Sequence, residues 1–158
     1  MTARLCFLSV LLLGCGCGQD PAAQAVKAFV ACLDREAAAE AWDLLSPETH
    51  AVYNSTAAVL KRFGYQESLA AMDSLAGGVT QEEFEAMDGR GLFLRMVAAG
   101  PECRDLSGSV RSVEHVSESL AVVVLATADG SQEVGVVFSG GRWLVDLTTL
   151  SPPFQPER

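Results

Sequence analysis

The stretch 110–147 reads VRSVEHVSESLAVVVLATADGSQEVGVVFSGGRWLVDL, and its reading decides the fold class. Runs rich in β-branched and aromatic residues cover Val110 to Val116, Leu120 to Thr127, Glu133 to Phe138 and Arg142 to Leu147. Between them stand Ser117-Glu118-Ser119, Asp129-Gly130-Ser131 and Ser139-Gly140-Gly141. Connections this short, made of Gly, Asp and Ser, join antiparallel neighbours, since a parallel return needs a long crossover. The stretch therefore predicts an antiparallel meander.

Working back from Pro101, the period changes from two to three and a half. Asp20-Pro21 has the form of an N-cap acid followed by proline at the first helical position. Val26, Phe29, Val30 and Leu33 then fall on one helical face. Asp34 is the expected cap of a second helix carrying Ala38, Ala41, Trp42 and Leu45, and Ser46-Pro47 opens a third. That third helix presents Val52, Thr56, Val59, Leu60 and Phe63 before Gly64 interrupts it. Leu69, Met72 and Leu75 predict a short helix ended by Gly77-Gly78. Thr80-Gln81-Glu82-Glu83 forms a capping box ahead of Phe84 and Met87. Asp88-Gly89-Arg90-Gly91 reads as a break, and Leu92 to Ala99 as one more helix closed by Gly100-Pro101. Helices first and a meander after them is the α+β class, with the helices packed on one face of the sheet.

The N-terminus carries a different signal. Met1-Thr2-Ala3-Arg4 has one basic residue and no acid, and Leu5 to Leu13 is an apolar run ending at small residues. That is the form of a secretory leader. A membrane-spanning helix needs about 20 mostly apolar residues, and this run stops short of that. Leu12-Leu13-Gly14-Cys15 resembles the bacterial lipobox, a branched residue, a tolerant position, a small residue and then cysteine. The resemblance implies cleavage before Cys15, a diacylglycerol on its thiol and often an acyl group on the new amine. It makes residues 1–14 a signal peptide, 15–19 a lipidated tether, 20–150 a single domain, and 151–158 a proline-rich tail. Two or three acyl chains hold durably where one does not. The implied partner is a membrane, reached through the lipid on Cys15, with the protein in the bacterial cell envelope, facing the periplasm or the surface. Asp after the modified cysteine retains enterobacterial lipoproteins in the inner membrane, so Gly16 points to the outer membrane.

Composition agrees with export of a folded domain. The residues after the leader suit one domain, which at this size buries a sizeable core. The chain is 49% hydrophobic and 20% charged, with net charge −9, and loss of Arg4 makes it more acidic. Such a balance argues against nucleic acid, which rewards clustered Lys and Arg. Of the 5 cysteines, Cys6 leaves with the leader and Cys15 is modified, so Cys17, Cys32 and Cys103 remain. A Cys32–Cys103 disulfide would close a loop of about 70 residues and contribute about 4 kcal/mol, against the alternative of a small buried thiol at each place. No Cys/His spacing suits a metal, and nothing asks for a cofactor.

The order of elements also resembles the NTF2-like superfamily, a curved antiparallel sheet wrapped round helices into a cone. The likeness rests on early helices running from Val26 through Trp42-Asp43-Leu44-Leu45-Ser46 and on a final hairpin Gly140-Gly141-Arg142-Trp143-Leu144-Val145-Asp146-Leu147. Some relatives are isomerases or dehydratases working in the cone cavity, which sets up one functional alternative by analogy of fold.

Residues suited to catalysis are few. The 2 histidines, His50 and His115, have no partner at a recognisable spacing. Ser107-Gly108-Ser109 is no nucleophile elbow. Glu82, Glu83 and Glu85 sit at a helix start, where acids complement the macrodipole. Trp42 and Trp143 are candidates for lining a ligand pocket, against the reading that both anchor the core with Phe29 and Phe138. The favoured expectation is a non-catalytic binding or scaffold module, for an envelope protein or a small apolar ligand.

Overall fold

The computed structural model describes residues 20–69, 78–99, 108–127 and 130–149. Helix α1 (Pro21–Asp34) starts as its sequence predicts, with the Asp20 carboxylate accepting from the Ala22 amide at 2.9 Å. Val26 and Phe29 are buried, and Val30 and Leu33 pack against the same core.

The second helix departs from expectation. Asp34 ends α1 and caps no second helix; Glu36 takes a left-handed φ of 58°, and α2 (Ala38–Trp42) has Ala37 at its start with no side-chain cap. Leu45 lies beyond α2 and makes a parallel bridge to Val145 instead. An acid is a cap only where the chain turns into a helix, and here the left-handed Glu36 separates the two.

Helix α3 (Pro47–Phe63) is capped by Ser46, whose hydroxyl accepts from the Thr49 amide. Its inward face is the predicted one only at Leu60, which packs on a second small core. Thr49 and Ala57 are buried with Tyr53 between them, whereas Val52, Thr56, Val59 and Phe63 are exposed, Phe63 by 67%. Hydropathy picks the wrong stripe because small and hydrogen-bonding residues are what let α3 lie close to its neighbours. Residues 65–69 are helical, while Met72, Leu75 and Gly77 lie outside the described residues. Helix α4 (Gln81–Ala86) carries the predicted capping box. The Thr80 amide and hydroxyl, with Arg95 at 2.9 Å, hold the Glu83 carboxyl below the usual range.

Helix α5 (Gly89–Ala99) begins three residues earlier than the sequence suggests. Asp88 supplies the missing cap, accepting from the Gly91 amide at 2.7 Å. Gly89 is helical because α3 crosses there: its amide donates to Asn54 Oδ1 at 3.0 Å, and a Cβ would meet the Asn54 backbone nitrogen at 2.5 Å. Gly89→Ala is therefore expected to destabilise by at least about 1–3 kcal/mol, the range typical of overpacking, because backbone cannot step aside as a side chain can. A denaturant midpoint unchanged from wild type would show that α3 and α5 can separate freely.

Strands β1 (Ser109–His115), β2 (Leu120–Thr127), β3 (Gly130–Ser139) and β4 (Arg142–Asp146) form a 4-stranded antiparallel meander in that order. Residues 116–119 turn between β1 and β2, and Gly140 and Gly141 both take positive φ between β3 and β4; β3 starts at Gly130, earlier than the predicted Glu133, and Asp129 lies outside the described residues. Ala121, Val123 and Leu125 of β2 are buried while Val122 and Val124 between them are half-buried. Ala121 pairs with Val136, and Val136 with Val145, so these side chains share the face on which α1 packs. Segment 44–46 lines the outer side of β4, with Val145 donating to Leu44 O and Ser46 donating to Val145 O. That bonding covers an edge otherwise open to a foreign strand. Helices on one face of an antiparallel meander make the fold α+β, as the sequence predicts. A second small core of Ala57, Val79, Phe84, Met87 and Leu92 holds α3, α4 and α5 together.

Candidate functional site

Cys15, the expected attachment residue, and the expected tether to Gln19 lie outside the described residues, which begin at Asp20. Asp20 does two things. One carboxylate oxygen caps α1, and the other accepts from His115 Nε2 at 2.8 Å. Burial pushes this carboxyl upward, but the His115 hydrogen bond, the Ala22 amide, the His115 charge and the Ala23 amide outweigh it. The net effect holds Asp20 below its ordinary value.

His115 is thus a clasp between the start of α1 and the end of β1. Its ring meets Trp143 edge-on, with centroids 5.5 Å apart, and Trp143 meets Phe138 at another 5.5 Å. Phe138 and Trp143 are cross-strand partners. By the two-residue period they lie on the same face as Val136 and Val145, past the end of α1. Sequence reading places all these aromatics in the core. Phe29 and Trp42 are buried, but Trp143 is only half-buried and Phe138 is 45% exposed. The two therefore form a half-exposed rim.

Trp42 meets a different set of rings. Its ring stacks on His50 at 4.0 Å and packs against Tyr53 and Phe93. His50 Nε2 lies 2.9 Å from the Trp42 carbonyl oxygen, so that nitrogen carries the proton and donates. His50 thereby closes the end of α2 and covers one side of the indole.

The most concentrated polar group is the cluster Ser46, Thr49, Asp146 and Thr148. Ser46 donates to Thr49 Oγ1 at 3.0 Å, and Thr49 donates to Asp146 Oδ1 at 3.2 Å. Asp146 Oδ1 also accepts from the Thr148 amide and hydroxyl. Ser46 is 0% and Thr49 1% exposed, and through Asp146 they clamp α3 to the end of β4. Among the described residues no buried side-chain nitrogen or oxygen lacks a partner. No group of His, Cys, Asp and Glu there is arranged to hold a metal ion.

Cys32 is buried on α1, with Arg35 Nη2 at 3.5 Å from its sulfur. Cys17 and Cys103 lie outside the described residues, and the Cys32–Cys103 bridge goes with the latter. Among the described residues no helix is long and apolar enough to cross a membrane. No protein-family model, curated protein or solved structure matches the chain.

Proposed function

We propose that this is a lipid-anchored protein of the bacterial cell envelope, whose folded domain is held at the membrane by diacylglycerol on Cys15. The single observation that carries the reading is Leu12-Leu13-Gly14-Cys15 closing an apolar run behind one basic residue. Residues 1–14 are the leader, and a very short tether joins the lipid to the domain. A capped helix starting at Asp20 supports a domain boundary at that place. The domain works by binding or scaffolding, its partner an envelope protein or a small apolar ligand, and its helix-first meander is a cone of the NTF2-like kind. The absence of Asp after Cys15 favours the outer membrane.

The test is metabolic labelling in a bacterium with radioactive palmitate. Wild type takes up label and sediments with membranes. Cys15→Ser takes up none and persists as the longer, uncut precursor. Undiminished labelling of Cys15→Ser would remove the assignment.

A further inference from the structure

We propose that the rim formed by Phe138 and Trp143 is the surface on which the domain rests against the lipid bilayer. The inference rests on the anchoring reading above and adds an orientation to it. From Cys15 to Asp20 the chain has five residues of reach, at most about 18 Å when fully extended. A domain of roughly 130 residues is about 36 Å across, taking its radius of gyration as that of a sphere. The tether is shorter than the domain, so the end that carries Asp20 must face the membrane.

Asp20 is not free to choose that end. The 2.8 Å contact with His115 fixes it to the close of β1, and the His115 ring lies 5.5 Å from Trp143. Phe138 stands beside Trp143, 45% exposed. The apolar rim and the anchor point are therefore one place. Trp and Phe suit it: an indole with an apolar body and one N–H donor partitions to the boundary between headgroups and acyl chains.

Two features decide for lipid at this rim. The other exposed apolar stripe, Val52, Val59 and Phe63, belongs to α3, which starts beside Asp146, the opposite end of β4 from Trp143. The rim's charges also make no net basic patch for anionic lipid. Asp20 is paired with His115, and Glu118 offsets Arg142, which keeps its charge while donating to the Asp43 carbonyl. The contact is apolar, so it should survive high salt, which screens exposed charges and leaves burial intact.

The experiment uses the full lipidated protein on phosphatidylcholine vesicles whose acyl chains carry bromine near the headgroup, a short-range quencher of tryptophan. Flotation reports anchoring and fluorescence reports orientation. Wild type is expected to float and to lose emission relative to unbrominated vesicles, equally at low and high salt. Trp143→Phe keeps a ring in the rim and leaves only the buried Trp42, so it should float without that loss. Phe138→Glu, at an exposed position the fold tolerates, should float with Trp143 lifted clear and its quenching reduced. Wild type that fails to float overturns the anchoring reading and the rim with it. Wild type that floats unquenched, or a Trp143→Phe variant quenched as strongly as wild type, overturns the rim alone.

Discussion

Phe93→Ala is expected to be among the most damaging single substitutions in the domain, lowering stability by about 3–5 kcal/mol. Phe93 is 1% exposed on α5, and its ring lies 5.5 Å from Trp42 and 5.4 Å from Tyr53. One side chain thus joins α2, α3 and α5. Truncation loses the transfer energy of the ring and leaves a void that three helices cannot all close at once. The melting temperature should fall by something on the order of 10 °C or more. The near-ultraviolet signal of Trp42 should change as well, since it loses a neighbouring ring. Phe93→Leu, which keeps most of the volume, should cost less than about 1.5 kcal/mol. A loss under about 1 kcal/mol for the alanine variant, against the 3–5 usual for buried rings, would mean the three helices do not share this core.

Thr49→Val tests a different kind of interaction with nearly the same shape. Thr49 Oγ1 accepts from Ser46 Oγ and from the Leu147 amide, each at 3.0 Å, and donates to Asp146 Oδ1. Valine replaces the hydroxyl with a methyl group and leaves both donors without that acceptor in a place water does not reach. An abandoned buried polar group costs about 1–3 kcal/mol, so the expected loss is roughly 2–4 kcal/mol despite greater hydrophobicity. Thr49→Ser retains the oxygen and loses one methyl, worth about 0.8 kcal/mol. Equilibrium denaturation of both variants decides the matter. A valine variant as stable as the serine variant would show that the hydroxyl is dispensable and that packing alone holds α3 to β4.

The chain's local signals are legible without any structure. Asp20-Pro21, Ser46-Pro47 and the Thr80–Glu83 box each start a helix where residue chemistry says they should. The four strands and their turns follow the alternation of β-branched residues and Gly, Asp and Ser. The proposed lipobox is likewise a wholly local pattern, and the anchoring proposal depends on nothing else. All of these work through groups a few residues apart, whose geometry a short peptide already determines.

Tertiary structure decided which faces are covered. The inward stripe of α3 is Thr49, Tyr53 and Ala57 because Thr49 bonds to Asp146, 97 residues away, and because α3 must admit Gly89 against Asn54. Apolar character alone selects Val52, Val59 and Phe63, which face outward. Gly89 reads as a breaker until the close crossing of α5 over α3 makes glycine the residue that fits. Phe138 and Trp143 look like core residues in sequence, yet α1 begins only at Pro21, its cap Asp20 tied to His115 95 residues on, and leaves Phe138 exposed and Trp143 half-buried. Burial is a property of what lies opposite, and no stretch of chain contains its own opposite.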